Sequence, residues 1–544
     1  MSSLVMYRNG AVYSQADPFA TAMLVDGDTV AWVGQEAAAA SLVDDRVRVV
    51  DLRGALVAPA FFDSHVHLTE TGAALASLDL TGVGSVAELL RLVAVDAARH
   101  AGAVVGAGWD QSAWPEGRVP TAAELEEAGG GRDVYLTRID VHSGLVNASL
   151  ARRLGLAGTD GWDGGSTVVR EAHARVREAV LDFGDAARAD HQRRALRHLA
   201  AHGYAGVAEM AAPHIGTRRD LEILFELLDA EGDDHPGVHA YWGEAVSTPE
   251  QARALADSFG PGRLAGLGGD LNIDGSLGSR TAYLREPYAD DPGNRGTLFL
   301  DAAQIADHVV ACSSAGVQAA FHVIGDAGVD EAVAGFRLAA ERIGTAAVQA
   351  GRHRLEHVEI ADESAVQALL ELGITVSLQP AFDAYWGAPG GQYEQRLGAE
   401  RSSRMNEVGR FLAAGVPVCL GSDTPVTEAS PWAAVKACLE HHTRSARVSA
   451  RAAFLAHTRA GHRAVGAPDP LAGQLVPGAE ATFAVWAASE LAVQTPDARV
   501  SSWSTDARAG TPMLPVLDEE LPACQRTVRR GRVIFDALEG EGAS

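Results

Sequence analysis

The chain has 544 residues, 47% of them apolar and 21% charged, enough to bury a large α/β core with accessory parts. Its formal charge of −26 argues against nucleic acid and anionic membrane as partners, because both need basic patches. No apolar run is long enough to span a bilayer and the start lacks a signal peptide's basic and apolar segments, so a soluble cytoplasmic protein is expected.

In chain order, residues 4–14, 22–34 and 47–57 read as short strands, broken at Asn9-Gly10, Asp26-Gly27-Asp28 and Gly54. The far end reads alike, with strands expected over 481–486 and 526–535 after the turn Pro477-Gly478. Residues 1–54 and 470–544 are therefore expected to build one small composite β-sandwich. Between them, 55–469 alternates apolar runs with helical patterns. Strands are expected at 55–67, 204–210, 238–244, 264–274, 317–324, 354–360, 374–380 and 416–422. Helices are expected at 218–230, 302–315, 329–342, 362–372 and 407–414, several opening on an acidic or capping residue. Eight strands predict an α/β, (β/α)8 TIM-like barrel with reactive groups at the C-terminal strand ends. An insertion after the first strand, about 69–203, carries strand patterns of its own at 104–110 and 133–141 and is expected to be a lid or side domain. The four cysteines, Cys312, Cys419, Cys438 and Cys524, show neither metal-type nor disulfide-type spacing.

The first expected barrel strand ends in His65-Val66-His67. A strand's period of two puts both imidazoles on one face, the arrangement that holds a metal, although an isolated pair also occurs by accident among 19 histidines. Other apolar runs close on His322, His357 and Asp423. Taken singly, His322 could be a packed core imidazole, His357 a partner of Glu356, and Asp423 a helix cap. Taken together, they occupy one topological position around one barrel.

These stretches resemble the amidohydrolase superfamily, and more narrowly its amidohydrolase-3 branch of N-substituted formamide deformylase-like and exoenzyme-regulatory-type hydrolases. The matching segments run from Ala58-Pro59-Ala60-Phe61-Phe62-Asp63-Ser64-His65-Val66-His67 through Gly108-Trp109-Asp110 and Val141-His142-Ser143. They continue with 274–282, His322-Val323-Ile324-Gly325-Asp326, Arg354-Leu355-Glu356-His357 and Gly421-Ser422-Asp423-Thr424-Pro425-Val426. The resemblance implies that His65, His67, His322 and His357 bind a divalent metal, zinc before iron or manganese, as neutral imidazoles. It implies Asp423 as ligand or neighbour of that metal and as the general base and acid for a metal-activated water. The implied reaction is hydrolysis of a non-peptide carbon–nitrogen bond in a small amide, N-substituted formamide-like or cyclic, with heterocycle deamination on the same single-metal site as the alternative. An alternative of another class is a non-catalytic regulatory or binding protein that keeps the barrel.

One position departs from the pattern. Where many members carry a carbamylated lysine at the end of strand four, this chain has Asp270, and its single lysine, Lys436, lies beyond the last strand. A lysine carbamate is excluded, and one metal is expected before two, with Asp270 a possible metal ligand. Asp274 and Asp326 could steady the ligands or cap helices. Trp109, Asp110, Trp114, His142, Tyr385 and Trp386 could line a substrate pocket, and Arg280 could contact substrate or form a salt bridge. His441 and His442 read as surface residues. A small-molecule substrate and a homodimer complete the expectations.

Overall fold

Each apolar run expected as a barrel strand forms one in the computed structural model. The structure describes residues 4–99, 102–111, 114–139, 143–181, 184–488, 490–495, 503–504 and 511–538. The barrel strands are β1 (Phe61–Val66), β2 (Tyr204–Ala211), β3 (Gly237–Trp242), β4 (Leu264–Leu267), β5 (Gln318–Val323), β6 (Arg354–His357), β7 (Thr375–Leu378) and β8 (Val418–Leu420). They lie in sequence order, each parallel to the next. Their runs are apolar throughout because a parallel barrel buries both faces of every strand. Phe62, Ala208, Met210, Tyr241 and Ala320 form one such buried cluster.

The barrel closes where the chain beyond β8 returns to β1. Val66 bridges Thr424 in parallel, the Asp423 amide donates to the His65 carbonyl at 2.9 Å, and the His67 amide donates to the Thr424 carbonyl at 3.0 Å. The fully buried Asp63 carboxylate ties the same seam, accepting from the amides of Ser422 at 2.9 Å and His65 at 3.2 Å. The helices between strands are set by their ends. Ala302–Ala315 opens on Asp301, whose carboxylate accepts the Gln304 amide, and closes on left-handed Gly316 (φ 73°). Asp362 caps Glu363–Leu372 in the same way.

The expected strand 55–67 is in fact two. Leu56–Pro59 pairs with Phe483–Ala487 and Ala11–Val12 in a terminal sheet, and only from Phe61 does the chain join the barrel. Pro59 has no N–H to continue the ladder, and the switch of partners follows directly. The expected strand 526–535 is likewise a hairpin, Ala523–Arg529 and Arg532–Asp536, turning through Arg530 and Gly531, both at positive φ.

Two sheets come from the termini. One has the order Thr29–Gly34, Ala22–Asp26, Leu4–Arg8, Val47–Asp51; the other contains Leu56–Pro59, Phe483–Ala487 and the C-terminal hairpin. Tyr7, Met23, Val25 and Val30 of the first share one buried cluster with Val57, Phe483, Val485 and Val528 of the second, which makes the pair a sandwich.

Residues 68–195 form a separate compact unit, the other being 1–67 with 196–544. It has its own five-stranded sheet, including Val104–Trp109 and Val134–Arg138 near the positions read from sequence. Val134 and Leu136 pack on one side of that sheet and Tyr135 on the other, as the strand period requires. Among the described residues no helix is long and apolar enough to cross a membrane.

The loop after β4 depends on Gly268, at φ +116°, where an added Cβ would lie 1.7 Å from the Ala320 carbonyl oxygen. Gly268→Ala is expected to destabilise the protein by at least about 2 kcal/mol, since it combines a backbone region closed to L side chains with a clash against backbone. A thermal or urea melt coinciding with wild type would contradict this.

Candidate metal centre

The centre is assembled at the C-terminal ends of the strands. His65 belongs to β1 and His67 follows it, and both are buried. His322 and His357 end the inward runs of β5 and β6. Asp423 follows β8, and Asp270 stands in the loop after β4. Successive strand residues should face opposite ways, yet Glu356 and His357 both reach interior groups, because His357 (φ 72°) and Val358 (φ 40°) adopt left-handed backbone. Asp423 is also left-handed, at φ 58°. Non-glycine residues in this region carry strain, and here two of the three are candidate ligands.

Distances show a convergent cluster. One oxygen of Asp270, Oδ2, lies 3.4 Å from Nε2 of both His65 and His67. Its other oxygen, Oδ1, faces Nδ1 of His322 at 3.7 Å and Nε2 of His357 at 4.0 Å. Asp423 Oδ1 is 3.1 Å from His67 Nε2 and 3.5 Å from His65 Nε2. Two sets of three donors could each hold a cation: His65, His67 and Asp423, and His65, Asp270 and His357.

The residues fit such an ion in their hydrogen bonding as well as their spacing. A neutral imidazole has one N–H and one lone pair. His65 Nδ1 faces Glu356 Oε2 at 3.0 Å, His357 Nδ1 faces Gln379 Oε1 at 2.8 Å, and His322 Nε2 faces the Gly275 carbonyl at 3.3 Å. With the protons placed on those contacts, the remaining nitrogen of each ring turns its lone pair towards Asp270. Among the described residues His65 Nε2 and Asp270 Oδ1 are buried atoms that find no hydrogen-bond partner, and a cation would supply what they lack.

Without a cation the cluster holds protons instead. Burial works against a charged His65, but Asp270 and Asp423 outweigh it and hold the imidazole well above its ordinary range. His67 follows the same pattern, brought to about 9 by Asp423 and Asp270 against the effect of burial. Burial alone would raise Asp270, and the neighbouring His65 and His322 instead hold it well below the usual carboxylate range. His357 goes the other way, pushed to about 4 by burial and by the nearby His322 and His65.

The other residues singled out in the sequence are placed as follows. Asp274, fully buried, accepts from the amides of Tyr283, Ile324 and Gly325, and so anchors the turn just beyond His322. Asp326 opens a helix as its first residue and accepts from the amides of Arg285 and Ala327, tying that helix to the loop at Arg285. Trp109 lies buried in the core of the 68–195 unit with its indole N–H on the Leu136 carbonyl, a packing role. Trp114 lies in the same core, and Asp110 pairs with Arg138. Arg280 is held by both oxygens of Asp290 at 3.1 and 2.8 Å, which makes it a salt-bridge residue. His142 lies outside the described residues. Trp386 packs 4.9 Å from Phe382, whose ring stacks at 6.0 Å on His357, so it belongs to an aromatic wall beside the centre. His441, read as exposed, is buried and faces Asp383 at 3.4 Å. Gln379 and the contact of Glu356 with His65 do not stand out in the sequence. Gln379 closes the run of β7, where the strand-end rule applied to the other strands would have found it.

The sequence profile of the amidohydrolase family matches residues 48–535. The chain is 26% identical to the protein LONG AFTER FAR-RED 3 of Arabidopsis thaliana over 88% of this chain and 86% of that one. It is 23% identical to the N-substituted formamide deformylase of Arthrobacter pascens, covering 76% and 80%. A crystal structure of a metal-dependent hydrolase from Pyrococcus furiosus superposes with a TM-score of 0.71 at 27% identity, covering 89% of this chain and 98% of the other.

Zinc added to the metal-free protein at pH 7 is expected to release about one to two protons per ion, because ligand imidazoles must give up protons to bind. The His67 proton is held up to about 9, so competition weakens and zinc affinity rises as pH climbs from 6 towards 9. Calorimetry in buffers of different ionisation enthalpy measures both effects. An affinity flat with pH and a zero proton count would contradict the assignment.

Proposed function

Since the chain belongs to the amidohydrolase family and is a metal-dependent hydrolase of carbon–nitrogen bonds, we propose that its substrates are small non-peptide amides of the N-substituted formamide or cyclic-amide type. The observation that carries the reading is the meeting of His65, His67, His322, His357, Asp270 and Asp423 in one buried cluster. The similarity to a formamide deformylase supports the substrate class. In this reading His65, His67, His322, His357 and Asp423, with Asp270 alongside, would hold one divalent ion, zinc by the nitrogen-rich donor set. Bound there, the ion supplies a Lewis acid that polarises the amide carbonyl and acidifies water.

The chain's own residues supply the proton traffic. In the metal-free chain His65 and His67 hold Asp423 ionised against burial, and a bound cation would take over that role, so Asp423 can accept the proton of the attacking water. As the carbon–oxygen bond forms and the carbon–nitrogen bond breaks, Asp423 returns that proton to the leaving nitrogen, which departs as a neutral amine. Phe382 and Trp386 present apolar surface beside His357, where the substrate's carbon skeleton rests.

A second reading concerns ion number. The two oxygens of Asp270 divide between the His65/His67 pair and the His322/His357 pair, so Asp270 would be the residue able to serve both pairs if two ions were held. Metal analysis decides: one ion per chain supports the single-ion reading, and two ions falling to one in Asp270→Ala support the bridge.

The activity test is a screen of formamides, other amides, lactams and aminated heterocycles. Formamides or cyclic amides are expected to turn over, and chelation to abolish turnover. Asp423→Asn is expected to lower kcat/KM by at least about 10²-fold, as loss of a general acid–base does. Full activity in that variant would remove Asp423 from the mechanism, and turnover of aminated heterocycles alone would replace hydrolysis of amides by deamination.

A further inference from the structure

On β6, just before His357, Arg354 and Glu356 form an ion pair with no solvent exposure. Arg354 Nε donates to Glu356 Oε1 at 2.6 Å, and Nη2 donates to Glu356 Oε2 at 2.9 Å and to the Ser64 carbonyl of β1 at 2.7 Å. The guanidinium lies 5.2 Å from the centre of the Tyr241 ring, so strands β1, β3 and β6 all fix it. Such a pair is an expensive way to fill a barrel, because apolar residues of similar volume usually stabilise as well or better. Its presence calls for a use of the charge.

That use is visible at Glu356 Oε2, which also meets His65 Nδ1 at 3.0 Å. His322 and His357 rest on a carbonyl and an amide oxygen, both neutral, whereas His65 rests on a carboxylate. His65 is moreover the residue common to both sets of three donors, and its Nε2 lies within 3.5 Å of both Asp270 and Asp423. Resting on the metal reading given above, we propose that Glu356, locked in place by Arg354, is the positioning residue of the centre: it takes the Nδ1–H of His65 and so turns Nε2, as an electron-rich lone pair, onto the ion position between Asp270 and Asp423. Arg354 carries a permanent charge and neutralises Glu356, so the carboxylate strengthens one ligand without adding net charge to the barrel.

The test is zinc affinity of the full chain by competition with a chromophoric chelator. Glu356→Gln keeps the shape and removes the charge, and is expected to weaken zinc binding about 10- to 100-fold. The control is Asp536→Asn, which breaks the Arg526–Asp536 pair of the terminal sheet at 3.1 and 2.6 Å; it is expected to lower the melting temperature and leave zinc affinity unchanged. Should Glu356→Gln fail to fold around an unpaired Arg354, the double variant Arg354→Met/Glu356→Gln removes both charges and is expected to show at least a 10-fold loss. Wild-type affinity in either folded variant overturns the proposal. So does a nitrogen-15 histidine spectrum of the zinc-loaded wild type, with the His65 signals assigned from a His65→Asn variant, in which His65 Nδ1 carries no proton. A wild-type chain that takes up no zinc, iron or manganese overturns the metal reading itself, an outcome distinct from those two.

Discussion

Two carboxylates and four imidazoles share one buried space, and only protons or a cation can satisfy them together. Asp270 and Asp423 are both almost inaccessible to solvent, and an ionised carboxylate in such a place is sustained only by positive charge nearby. In the metal-free chain that charge is on His65 and His67, which is why their imidazoles are held up while the carboxylates are held down. A divalent cation does the same with fewer particles and frees the imidazole lone pairs to bind it. The cluster is thus unfinished as protein alone, and this separates it from a set of packed core histidines such as His457, which burial simply drives neutral, to about 3.

The fold is arranged to hold this unfinished cluster rigid. Asp423 and His67 come from opposite ends of the barrel chain, and they meet because the closing seam hydrogen-bonds Asp423 to His65 and His67 to Thr424 through backbone. Closing the barrel and closing the ligand set are therefore one event. At two of the candidate ligands, His357 and Asp423, the backbone is left-handed, a strain that the surrounding sheet must carry.

Much of this could be read from sequence because barrel strands are short apolar runs, and a polar residue closing one is conspicuous. His65, His67, His322, His357 and Asp423 all stand out in that way, and the structure brings them together with Asp270. What sequence hides is who faces whom. Glu356 seemed a neighbour for His357, but the turn of backbone at His357 hands it to His65 across the barrel. Trp109 and Arg280 sit in motifs shared with the family, yet one fills a core and the other a salt bridge, because a conspicuous residue type does not reveal where its side chain packs. The strand break at Pro59 was concealed for the opposite reason: both halves of 55–67 are equally apolar, and only the change of pairing partner separates them.

Asp270 raises a question of reach that the loop before it answers. The resemblance places a lysine carbamate here in many relatives, a group whose oxygens lie several atoms further from the backbone than those of aspartate. A short carboxylate can stand between the imidazole pairs only if its backbone comes closer to them. Gly268 and Gly269, at φ 116° and 81°, take the chain through two successive left-handed steps immediately before Asp270, and Gly268 passes so near Ala320 that no Cβ fits. The next residues then run back along β5, with the Ile273 amide on the His322 carbonyl and the His322 amide on the Leu271 carbonyl. Asp270 is thereby pinned between a glycine step on one side and the backbone of a candidate ligand on the other.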